Sequence, residues 1–164
     1  FGGSQEKGLR AGTEPVHAIV GMVEALRISY QNLAQEKKHI TDLKNYFKTS
    51  LSKEIPEIKF NGQCADNQNS SYTVLNVCLP VSAEKGKMLL FQLDLKGIAC
   101  SKGSACQSGS NKGSHVLSEI LSDEDLTKPS IRFSFSSFNT TDEIDYVVQT
   151  LKTFVNSGNT LEHQ

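Results

Sequence analysis

No apolar stretch in the 164 residues approaches the roughly 18 needed to span a bilayer, and the N-terminal region lacks the basic-then-apolar pattern of a secretory signal. Charge of one sign is missing as well. The 17 basic and 18 acidic residues leave a net charge of -1 with no long run of either, so nothing points to nucleic acid or to an anionic membrane surface. Four cysteines, Cys64, Cys78, Cys100 and Cys106, are too few for a disulfide framework in a chain of this size. No internal repeat and no low-complexity tract is present. These absences leave a soluble, cytoplasmic protein, long enough for one domain with a real core. No metal is expected either: Cys100 and Cys106, with His115 nearby, have a Cys-x5-Cys spacing, whereas zinc pairs are separated by about two to four residues.

What is there centres on Gly97 to Ser114, GIACSKGSACQSGSNKGS. Apolar segments on either side, Met88 to Leu95 and Val116 to Leu121, anchor it to packed structure. Between Ser101 and Ser114 almost nothing can be buried, yet Cys106 sits in the middle. Loops of about 12 residues or more inside a compact domain tend to be functional or disordered. A nucleophilic thiol must be partly exposed and able to ionise, and a loop apex about six residues from either anchor can travel on the order of 20 Å. Residues alone leave two readings, a working thiol and an ordinary surface cysteine.

GIACSKGSACQSGS resembles the active-site loop of the NifS/IscS-type cysteine desulfurases, pyridoxal-phosphate enzymes of the class V aminotransferase family. Their group I members share a Ser-x-Gly-Ser-Ala-Cys pattern, which Ser101, Gly103, Ser104, Ala105 and Cys106 fit. Lys102 departs from it, standing where many members have a second serine. The opening FGGSQEKGLRAGTEP carries a second match to the same family. Gly2, Gly3, Gln5, Glu6, Gly8, Arg10, Gly12 and Thr13 follow its Gly-Gly-x-Gln-Glu-x-Gly-x-Arg-x-Gly-Thr motif in order.

The resemblance implies specific roles. Cys106 attacks the sulfur of a substrate cysteine, becomes a persulfide and passes the sulfur to an iron-sulfur scaffold or other sulfur-acceptor protein. Thr13 reaches the phosphate of pyridoxal 5'-phosphate across the subunit boundary of a homodimer, with Arg10 a weaker candidate. On physical grounds, Thr13 also stands just before Glu14-Pro15 at the start of a helix, where free N-H groups and a positive dipole end suit a phosphate. Thr13 as an ordinary N-cap, with Pro15 in the first turn, is the plainer reading.

The remaining pattern is mixed. Val16, Ile19, Val20, Val23, Leu26, Tyr30 and Leu33 recur three and four apart, and the stripe resumes with Ile40, Leu43, Phe47 and Leu51, so a helix runs from Pro15 toward Pro56, continuous or kinked. His17 and His39 fall off the stripe and read as solvated or capping. Strands are expected at Glu57 to Phe60 and Tyr72 to Leu79, the latter burying Cys78. A helix from Ala83 to Leu95, capped by Ser82 and closed by Gly97, places Met88, Leu89 and Phe91 to Leu95 in the core. Cys100 is expected to be buried. His115 to Leu121 reads as a short helix and SDEDLTKP as an exposed connection.

Ile131, Phe133 and Phe135 alternate with Arg132 and Ser134 as in a half-buried strand. Arg132 there is either solvated or a carboxylate clamp, since a guanidinium offers two parallel donors and keeps its charge. The family's Ser-Ile-Arg-Phe-Ser stretch implies that Arg132 binds the α-carboxylate of cysteine. Thr140-x-x-Glu143 is a capping box opening a helix with Ile144, Val147, Val148, Leu151 and Phe154 on one face.

The order of elements predicts an α+β fold, a small and largely antiparallel sheet packed with helices, similar to the C-terminal domain of fold-type I pyridoxal-phosphate enzymes. The family's Ser-x-His-Lys segment, which supplies the Schiff-base lysine, does not occur. Residues 1–158 therefore resemble the small C-terminal domain, with 159–164 as a polar tail, and alone are expected neither to hold the cofactor stably nor to turn over cysteine. A stand-alone sulfur-carrier or redox module, a structural dimerisation domain and a selenocysteine lyase are the alternatives.

Overall fold

The predicted helix forms as one element. In the computed structural model, which describes residues 2–102 and 114–157, α1 spans Val16–Glu54. The chain divides into two units, Phe1–Glu36 and Lys37–Gln164. In the first, a left-handed turn at Gln5–Gly8, with Glu6 at φ +50° and Lys7 at φ +56°, precedes α1, and the apolar stripe from Val16 to Leu33 is exposed, with Val16 at 63% and Tyr30 at 70%. In the second, the same stripe is covered: Ile40, Leu43, Phe47 and Leu51 are all buried.

The second unit is built on a three-stranded antiparallel sheet in the order β1 (Lys59–Phe60), β2 (Val74–Cys78), β3 (Ser130–Ser134). Leu75, Val77, Ile131 and Phe133 point to one face and are buried against α1, where the Phe47 ring meets Phe133 edge-on at 5.1 Å and Phe135 at 5.8 Å. Helix α6 (Thr141–Asn156) closes the core with Ile144, Val148, Leu151 and Phe154. Its capping box is complete: Thr140 Oγ1 accepts from the Glu143 N-H, and the Glu143 carboxylate accepts from the Thr140 N-H at 3.0 Å. The fold is α+β with a small antiparallel sheet, as the order of elements predicts.

Three local expectations are corrected. The helix expected over Ala83 to Leu95 is broken into α2 (Ala83–Gly86) and α3 (Leu89–Asp94). Gly86 is buried under Pro129, whose Cβ would lie 2.6 Å from any Cβ added at Gly86. Because α3 buries only Leu89 and Leu93 fully, the expected core residues Met88, Phe91 and Leu95 are instead exposed. After α4 (His115–Ile120), the stretch expected to be a plain connection contains α5 (Asp123–Thr127). Ser122 caps it by accepting from the Asp125 N-H, and three acidic residues in its first turn suit the positive end of a helix.

Candidate functional site

Arg132 is positioned by strand pairing on both sides. Toward the segment that follows Gly97, its N-H donates to Ser101 O at 2.8 Å and its carbonyl accepts from the Ser101 N-H at 3.1 Å. Both backbone groups are thereby used on that side. Toward β2, Arg132 stands opposite Asn76 and must be a pair without mutual backbone hydrogen bonds, the type in which side chains approach most closely. Bonds on either side agree with this alternation: Leu79 N-H to Pro129 O at 2.9 Å and Phe135 N-H to Thr73 O at 2.8 Å.

Ser101, Arg132 and Asn76 thus form one row across the sheet, on the face opposite the apolar core. All three are half-buried. The Arg132 side chain has no acidic or hydrogen-bonding partner among the described residues, and a planar guanidinium in that setting can take a carboxylate through two donors.

Gly97 closes α3 in a left-handed conformation, φ +73°, with its N-H bonded to Asp94 O at 2.8 Å and the Ile98 N-H to Leu93 O at 2.9 Å. This turn directs Ile98 into the core and leads the chain to Ser101. Cys106 lies outside the described residues. Cys100 is half-buried rather than buried, yet burial, reinforced by nearby Asp94, pushes its thiol up to about 11. Cys78 is buried as expected, and burial raises its thiol too. Neither is suited to act as a thiolate at neutral pH.

In the first unit, the opening motif folds into a small loop. Gln5 Oε1 accepts from the Gly12 N-H at 3.2 Å, and Arg10 reaches the Gly12 carbonyl at 3.2 Å and the Glu14 carboxylate at 2.8 Å. Gly12, at φ +96°, takes a conformation closed to most side chains. Thr13 is exposed and its hydroxyl has no partner among the described residues. Since α1 begins at Val16, Thr13 lies too far out to be its cap, and Pro15 immediately precedes the helix.

A groove of about 510 Å³ lies between β3 and α6, lined by Phe47, Ile98, Phe133 and Val147 with Asp142 and Glu143 among its polar groups. Arg132 is not among its lining residues, and its carboxylates disfavour an anionic substrate. No group of His, Cys, Asp and Glu able to hold a metal occurs among the described residues, and no helix there is long and apolar enough to cross a membrane.

Sequence reasoning missed three residues that shape this face. Asn61 is 5% exposed and its Nδ2 donates to Asn76 Oδ1 at 2.8 Å and to Ser130 Oγ at 2.9 Å. Asn76 itself, a lone amide inside the apolar run Thr73 to Leu79, was the available signal. Ser101 belongs to the loop motif, but its pairing with a strand thirty residues on left no local trace.

The Aminotransferase class-V family matches residues 3–147. The chain is similar to the cysteine desulfurase IscS of Cronobacter sakazakii, 39% identical over 151 residues, and to that of Escherichia coli, 38% identical over the same length. Each alignment covers 92% of this chain and 35% of the relative, so the chain spans about a third of the curated relatives it matches. Among solved structures, a NifS-like protein superposes with a TM-score of 0.72 at 26% identity, over 95% of this chain and 38% of the other. A NifS-like protein from Rickettsia africae gives 0.70 at 27%, over 93% and 38%.

Proposed function

Since the chain belongs to the class-V aminotransferase family, we propose that it is the small C-terminal domain, residues 1–158, of a cysteine desulfurase that converts L-cysteine to L-alanine in the cytoplasm. The observation that carries this reading is the two-bond pairing of Ser101 with Arg132, which roots the segment leading to Cys106 beside the one arginine suited to hold a substrate carboxylate.

Arg132 binds the α-carboxylate of cysteine through paired donors and so fixes the orientation of its side chain. Cys106, as thiolate, attacks the substrate sulfur. A sulfur-sulfur bond forms as the carbon-sulfur bond breaks, its electron pair stays with the substrate carbon, and a proton delivered there completes alanine. The enzyme is left as a Cys106 persulfide, ready for a sulfur-acceptor protein such as an iron-sulfur scaffold.

Pyridoxal 5'-phosphate, when bound, supplies the electron sink that stabilises charge at the substrate carbon. Among the described residues, its phosphate is the part that finds a fit: Thr13 offers an unengaged hydroxyl in a glycine-rich corner before α1, in trans to the other subunit of a homodimer, while Arg10 is already tied to Glu14. Lys44 is the buried lysine, and its ammonium is spent on Ser70 and Ser71. In the family, the Schiff-base lysine and the ring contacts belong to the large cofactor domain.

The test is sulfide and alanine release from L-cysteine by the longer protein carrying this chain. Cys106→Ser should abolish both, and Arg132→Ala should raise KM for cysteine by about tenfold or more. Release by the Cys106→Ser protein at the parent rate would sink the proposal.

A further inference from the structure

Arg132 can receive an anion only if its own neighbours do not capture it first. We infer that the buried amide pair Asn61–Asn76 keeps Arg132 open for its carboxylate, an inference that rests on the clamp role proposed above. Asn76 is the closest kind of cross-strand neighbour to Arg132 and has one acceptor and two donors to offer. An asparagine showing its oxygen to the guanidinium would bond it.

Asn61 counters this by turning that oxygen toward β1, on the side of β2 away from Arg132: Asn61 Nδ2 donates to Asn76 Oδ1 at 2.8 Å and also to Ser130 Oγ at 2.9 Å. Asn76 is held at its backbone as well. Its carbonyl accepts from the Asn61 N-H at 2.9 Å and from the Cys64 thiol at 3.1 Å, and its N-H lies 3.4 Å from Cys64 Sγ. With strand and side chain both pinned, only the Asn76 NH2 remains to face Arg132, and two donors do not bond each other.

The rest of this face is consistent. Ser101 ends the row and Ser130 adjoins it, both without charge, and the carboxylate of Asp125, whose carbonyl lies beside Cys78, is engaged by Lys59 at 2.7 Å and Lys128 at 3.7 Å. Asn61 and Asn76 are thus positioning residues, which act through Arg132 by turning an acceptor away from it.

The test measures KM and kcat for L-cysteine, and the dissociation constant for L-alanine from the cofactor absorbance, in the longer holoenzyme. Asn76→Asp keeps an acceptor for Asn61 but sets a carboxylate against Arg132. It should raise KM and the alanine constant by about tenfold or more, with kcat within about twofold at saturation. Asn76→Ala removes the amide without adding an acceptor and should stay within about threefold of the parent.

Should Asn76→Asp fold poorly, Ser101→Asp puts the same carboxylate on the other flank of Arg132 and should act alike. Parental KM in both aspartate variants, while Arg132→Lys raises it, would overturn this inference and leave the clamp standing. An Asn76→Ala effect as large as that of Asn76→Asp would overturn it too, since the amide would then be a binding group. Parental KM in Arg132→Lys would refute the clamp itself, and this inference with it.

Discussion

The two halves of α1 carry one apolar period and meet opposite fates. From Val16 to Leu33 the stripe is exposed; from Ile40 to Leu51 it is buried under the sheet and α6. Periodicity reports that a face exists and says nothing about what covers it. Within this chain the covered half lies where α6 and β3 supply Ile144, Leu151 and Phe133, and the stripe before Glu36 has no comparable surface among the described residues of its own unit.

Substitutions can break that contrast. Phe47→Ala should cost about 3 to 5 kcal/mol in urea unfolding, because Phe47 is 1% exposed and two phenylalanine rings lose their edge contacts. If the loss were under about 1 kcal/mol, the covered half would not be the core it looks. At the seam between core and loop, Cys100 should resist alkylation: with a thiol near 11, its thiolate at pH 8 is about 200-fold scarcer than for a free thiol near 8.5. Its labelling rate should climb with pH until about 11, and a plateau near 8.5 would refute the burial argument.

Gly86→Ala is expected to cost about 1 to 3 kcal/mol, since the new methyl would meet Pro129. Thr140→Ala, which removes the cap of the helix that covers α1, should cost about 1 kcal/mol by the same measurement. Smallest of all, Leu26→Ala on the bare half should change the stability of this chain by no more than about 0.5 kcal/mol. A loss like that of Phe47→Ala would mean the first half is covered after all.

Local signals were the legible ones. The alternation Ile131, Arg132, Phe133 gave the strand and its two faces, Thr140-x-x-Glu143 gave the start of α6, and Gly97 gave the end of α3. The failures depend on partners far along the chain. Nothing near Gly86 announces Pro129 forty-three positions later, so the break between α2 and α3 could not be read, nor the exposure of Phe91 and Leu95 that follows from it. The missed α5 is different, because Ser122 followed by Asp123, Glu124 and Asp125 is an N-terminal signature in plain view. At the site, Arg132 was legible by type and strand face, whereas its flanking row depends on pairings of Ser101 and Asn76 that no local pattern carries.

Strand pairing also makes the site a matter of parity. Arg132 faces outward only because it is an odd step from both Ile131 and Phe133, and side chains in a strand alternate without exception for register. A single-residue deletion between Ser130 and Arg132 would send the guanidinium toward the Phe47 ring and turn a phenylalanine out in its place, while the backbone groups that now meet Ser101 would point toward β2. One frame of slippage would undo the proposed anion site and the pairing with Ser101 together, with every side chain of the proposed site still present in the chain.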